Sequence, residues 1–166
     1  MRALEGALKV DVALSVAQVR RYHDLSLDQC RDAGLSIVEA FIAPTARSSR
    51  RRWVSFVSLE PLNLEGFELR HLAGVAEMRC VLQAEPQDWK VLGHAAQTSP
   101  DAVWQRGSET WAVEYDAGAY TMKTVTRKAR AFEAGFDGQI WGVGSSERAQ
   151  VLSEWLLEAP LVVHPF

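Results

Sequence analysis

Two apolar segments separated by a loop constrain this chain most. The first, 36–43, reads SIVEAFIA, and the second, 53–59, reads WVSFVSL. Both are rich in β-branched and aromatic residues, and together they predict a β-hairpin. Ile37, Phe41 and Ala43 alternate with Val38, Ala40 and Ile42, and Trp53, Val57 and Leu59 with Val54 and Phe56. Strands apolar on both faces are expected at the centre of a sheet. Pro44 ends the first strand because proline cannot donate to a ladder. Glu39 interrupts that strand, so its carboxylate is expected to find a partner or line a cavity.

The loop inside the hairpin carries Arg47, Arg50, Arg51 and Arg52, and no acid occurs from Pro44 through Leu59. A second stretch, 117–133, carries Lys123, Arg127, Lys128 and Arg130 with Glu133 as its one acid. These two stretches hold 8 of the 18 basic residues, and the rest of the chain holds 10 bases against 20 acids. If they meet in space they form a basic patch on an acidic body, whose affinity for a polyanion falls with salt. Trp53 and Tyr120 lie beside these charges, and exposed aromatics can stack on bases while Arg holds the backbone.

The remaining segments predict alternating elements. Leu8–Leu14 alternates with period two and reads as a strand. Ser15 with Gln18, and Ser26 with Gln29, form two capping boxes, so a helix starts at Ser15 and breaks near Leu25. Gly34 stops the helical region. Residues 67–73 and 76–82, separated by Gly74, read as an antiparallel pair of strands. A helix is expected after Pro86 and a second short one after Ser99-Pro100-Asp101. Thr110–Asp116 is a clear strand; 119–126 reads as its hairpin partner followed by a helical turn, the alternative being a bend into a helix through Arg127–Glu133; 139–143 is a further strand. A helix follows over 146–158, with a short final strand at Leu161–Val163. The order implies an α+β fold, a single domain (1–166) with a mostly antiparallel sheet and helices packed mainly on one face.

Catalytic signatures are sparse. Cys30 and Cys80 make no CxxC motif and read as buried thiols. His23 and His71 fall on apolar stripes and read as structural; His94 is placed toward solvent. The four histidines share no HxH or HExxH spacing, and no serine sits in a GxSxG elbow. No metal site and no cofactor is implied. Carboxylates on predicted strands are Asp11, Glu39, Glu68, Glu77, Glu114 and Asp116. Gly142, Gly144, Ser145 and Ser146 form a strand–glycine–helix turn of the kind that binds anions at free backbone N–H groups. Glu147 stands where a GxGxxG motif needs its third glycine.

These features predict a small non-enzymatic binding protein whose basic hairpin loop engages an anionic partner, nucleic acid first. The expected contacts are Arg47, Arg50, Arg51, Arg52, Trp53, Lys123, Arg127, Lys128 and Arg130. Two alternatives stand beside it. One is a protein–protein module, a regulator or inhibitor, with a homodimer as one form. The apolar end Leu161–Phe166 would then dock on its own sheet or on a second copy. The other is an enzyme acting on a phosphorylated small molecule at the Gly142–Ser146 turn. No run of about 18 apolar residues is present. The N-terminal stretch is broken by Glu5, Lys9 and Asp11, unlike a secretory signal. No membrane partner and a cytoplasmic location are expected.

Overall fold

The computed structural model describes residues 1–45, 48, 50–92, 97–156 and 158–166. Six helices and two sheets make an α+β fold. The first part runs α1 (Arg2–Asp11), β1 (Ala13–Ser15), α2 (Val16–His23), α3 (Leu27–Asp32), β2 (Ser36–Ile42) and β3 (Arg52–Ser58). Its three strands form an antiparallel sheet in the order β1-β3-β2. The predicted hairpin is therefore present, with Phe41 opposite Trp53 and Glu39 opposite Ser55. Of its two strands, β3 is central as expected and β2 is an edge strand. Its face is only partly covered: Ile37 and Val57 pack toward α1–α3, while Phe41 and Trp53 stand in solvent. Glu39 needs no cavity, since it is exposed and accepts from the Ser55 hydroxyl.

Both capping boxes form, at Ser15–Gln18 and Ser26–Gln29. They place α2 and α3 around a three-residue turn, Asp24–Ser26, with Asp24 in the left-handed region. Asp24–Ser26 is the whole connection between these two short helices. The expected strand at Leu8–Leu14 is instead the end of α1 and the three-residue β1. Leu4, Ala7, Leu8 and Asp11 form its buried stripe at helical spacing. Asp11 is buried because Arg79 donates to it from Nε at 2.9 Å and Nη2 at 2.6 Å.

The second part runs α4 (Gly66–Val81), β4 (Trp89–Val91), β5 (Ala102–Arg106), β6 (Glu109–Asp116), α5 (Met122–Gly135), β7 (Gly138–Val143), α6 (Ser146–Leu156) and β8 (Leu161–Val162). Its five-stranded sheet has the order β4-β5-β6-β7-β8, antiparallel through β6 and parallel from β6 to β8. The parallel pairs are crossed by α5 and α6, as parallel neighbours require. The two strands expected over 67–73 and 76–82 are one helix, α4. It packs on both sheets: Leu69 and Ala73 meet Phe56 and Ile42, whereas Val75 and Met78 meet Val113 and Tyr115. A helix covered on several sides is apolar all round and shows little one-sided stripe. Gly74 is not a turn residue. A Cβ there would collide with the Tyr115 ring.

The expected hairpin partner at 119–126 is helical from Met122 on, and the helix continues through 127–133 as the alternative reading had it. Thr121 caps α5, its hydroxyl accepting from the Thr124 amide. The helices expected after Pro86 and Ser99 reduce to one 3-10 turn, Pro86–Asp88, followed by β4, and the strand β5. Helices cover both faces of the larger sheet, α4 on one and α5 with α6 on the other. The C-terminal segment docks on its own chain, β8 on β7, with Phe166 edge-on to Phe56.

Candidate nucleic-acid interface and a buried charge cluster

The hairpin projects Arg50, Arg51 and Arg52 into solvent, and none of the three pairs with a carboxylate among the described residues. Arg47 lies outside the described residues, as does His94. Trp53 is 69% exposed and packs on Phe41, itself 51% exposed, with ring centroids 5.4 Å apart. Below the hairpin, a groove of about 340 Å³ is lined by Phe41, Ser48, Arg51, Phe67 and Arg70. The start of the hairpin loop reaches the second part of the chain: Thr45 borders a pocket of about 210 Å³ with Gly118, Gly144, Ser145 and Arg148.

Charge on the neighbouring α2 and α3 is mixed. The exposed residues of α3 are Asp28, Gln29, Arg31 and Asp32, and Arg31 is turned onto Asp28 at 3.0 Å. Arg21 of α2 is held by the Glu77 carboxylate and the His164 carbonyl. Arg50, Arg51 and Arg52 stand together in the hairpin, while Arg2, Lys9 and Arg20 are exposed elsewhere in this part, also without a carboxylate partner among the described residues.

The second basic stretch lies on α5. Lys123, Arg127 and Arg130 are exposed there. Lys128 is buried; its ammonium sits 2.8 Å from Glu114 Oε1 and donates to the Ser99 carbonyl at 2.6 Å. Of the predicted anion turn, Gly142 is buried against Met78, and Gly144 and Ser145 line the pocket beneath Thr45. Ser145 accepts from the Arg148 amide with its hydroxyl. The Arg148 guanidinium is bound to Asp116 and to the Tyr120 carbonyl.

Glu114 and Asp101 belong to a cluster that sequence patterns do not single out. Glu114 points from β6 toward α5, and Asp101 precedes β5. Tyr120 donates to Glu114 Oε1 at 2.6 Å, while Glu114 Oε2 makes no hydrogen bond within the described chain. Asp101 accepts from the Tyr115 amide at 2.7 Å and faces His71 Nε2 at 2.9 Å. His71 and Asp101 open onto a cleft of about 340 Å³ that also includes Lys9 and Glu68. Among the described residues no group of three or more His, Cys, Asp or Glu is placed to hold a metal ion. Both thiols are free, and burial pushes Cys80 up to about 12.

Burial pushes the Glu114 carboxyl up to about 7, with the Asp101 charge adding to the shift and Lys128 opposing it. Burial alone would lower His71; its hydrogen bond to Asp101 and the nearby carboxylates turn the net shift upward. The consequence for stability has a definite sign. Folded Glu114 keeps its proton to about 7, against 4.5 for an unperturbed carboxyl. Its contribution is therefore complete below the lower value and is lost as pH rises through the upper one. Urea unfolding of wild type should show stability falling across that window, and Glu114→Gln should flatten the fall. Coincident pH profiles for the two proteins would contradict this assignment. His71 contributes a fall in the same direction at higher pH, which the variant retains.

An α+β chain in which a three-stranded antiparallel sheet with a cationic hairpin is joined through α4 to a mixed sheet with helices on both faces defines the class of fold. The chain belongs to the replication-relaxation family, whose model matches residues 58–143, more than half of its length. The family's name ties it to a DNA-related role. The match runs from the end of β3 to the end of β7. It therefore includes Asp101, Glu114 and Lys128 and leaves out the hairpin arginines. No curated protein and no solved structure matches the chain. No described helix is long and apolar enough to cross a membrane.

Proposed function

We propose that this chain is a DNA-binding module that holds the phosphate backbone through the tip of its β2–β3 hairpin. One observation carries the reading: Arg50, Arg51 and Arg52 stand exposed side by side without a carboxylate partner among the described residues. Arg offers a planar fork of donors suited to phosphate oxygens. Lys123, Arg127 and Arg130 are a second set of exposed cations on α5, and Lys128 is withheld by Glu114. The test is anisotropy titration of a labelled 20-base-pair duplex at low salt. Saturable binding that weakens linearly in log salt is expected. No measurable binding at low salt would overturn the proposal.

A further inference from the structure

The hairpin carries more than charge. Phe41 and Trp53 are directly opposed across the strands, so they share one face. That face points away from the core residues Val54, Phe56 and Ile42. Phe67 at the start of α4 is 60% exposed and lines the same groove as Phe41. Three large aromatics thus stand in solvent around one hairpin, where burial would otherwise stabilise them. Arg51 and Arg70 line the groove beside them. Arg70 spends one weak bond, 3.4 Å, on the Ala43 carbonyl, and its Nε is buried without a hydrogen-bond partner. It pairs with no carboxylate among the described residues. Glu65 is the one acid lining the groove.

Cations beside open aromatic faces fit a partner that has both phosphates and unstacked rings. Intact duplex offers the first and hides the second, because its bases are already stacked and paired. Single-stranded DNA offers both, and base–aromatic stacking tolerates any sequence. We infer that the Phe41–Trp53 face and the groove beneath it bind single-stranded DNA. Bases stack on the exposed rings, and Arg51 and Arg70 hold the flanking phosphates. This inference rests on the DNA-binding reading above and narrows its substrate to unpaired strands.

The experiment compares a labelled, unstructured 20-nucleotide strand with a duplex of the same sequence, for wild type, Trp53→Ala, Trp53→Phe and the triple variant Arg50→Ala/Arg51→Ala/Arg52→Ala. Wild type is expected to prefer the single strand by roughly 10-fold, and Trp53→Ala to lose about that factor on the single strand alone. Trp53→Phe keeps a stacking ring and should recover most of it. Because Trp53 is largely exposed, thermal unfolding of all variants should match wild type. If the triple variant weakens both DNAs while Trp53→Ala changes neither, the stacking inference falls and the charge reading stands. If wild type binds neither DNA, both fall. Wild type sedimenting as a dimer that Trp53→Ala dissociates would assign the face to a second copy and overturn the inference.

Discussion

Replacing Arg148 with methionine is expected to cost about 3–5 kcal/mol of stability, as removal of one partner from a buried ion pair does. Arg148 donates to Asp116 through Nε at 2.7 Å and through Nη2, and to the Tyr120 carbonyl at 2.7 Å. The Asp116 side chain is 0% exposed and that of Arg148 is 8%. Methionine preserves much of the packing on Trp155 but leaves a carboxylate buried without its cation. Partial compensation exists: Asp116 Oδ1 also accepts from the amides of Gly118, Ala119 and Tyr120. The loss should therefore fall toward the lower end of the range. Urea unfolding measures it, and a change below about 1 kcal/mol would show that the pair is not a structural tie. Adding Asp116→Asn removes the stranded charge and keeps the amide acceptor, so the double variant should regain most of the loss. The pair joins β6 to α6 and fixes the turn into α5, so its loss should loosen the segment that carries Lys128.

The second large effect is on binding. Substituting Arg50, Arg51 and Arg52 by alanine is expected to weaken duplex binding by ~100- to 1,000-fold at about 0.1 M monovalent salt. Each phosphate contact contributes about 0.9 to the salt slope. Three lost contacts, read over the decade from about 0.1 M to 1 M, therefore amount to about 2.7 log units. Stability should stay within about 0.5 kcal/mol of wild type, because the three side chains are exposed and pair with no carboxylate among the described residues. A parallel set at Lys123, Arg127 and Arg130 should act more weakly if α5 only flanks the site.

Local signals account for the parts of the fold that were legible in the sequence. Ser15–Gln18 and Ser26–Gln29 satisfy their own helix starts within four residues, so no tertiary knowledge is needed to read them. The hairpin, β6 and α6 likewise announce themselves by run length and composition. Where tertiary burial decides, the reading fails. Asp11 looks like the polar side of a strand because its partner, Arg79, lies 68 positions away. Residues 76–82 alternate like a strand because Glu77 and Arg79 are polar yet buried in α4, held by Arg21 and Asp11 from distant parts of the chain. The site divides the same way. The hairpin arginines are visible as an acid-free run, whereas the inward turn of Lys128 depends on 122–135 being a helix. Reading 119–126 as a strand, with only a helical turn after it, gives Lys128 no buried carboxylate to face. The cluster of His71, Asp101, Glu114 and Lys128 draws on four separate elements and has no spacing that a motif could record.

The central claim is that the hairpin tip, rather than the net-acidic body, makes the DNA contacts. The most direct measurement is the slope of log binding constant against log salt for the labelled duplex, in wild type and in the Arg50–Arg52 alanine variant. The variant is expected to show a slope shallower by about 2.7, with an unchanged unfolding midpoint. Equal slopes in the two proteins would contradict the account and move the contact surface elsewhere on the chain.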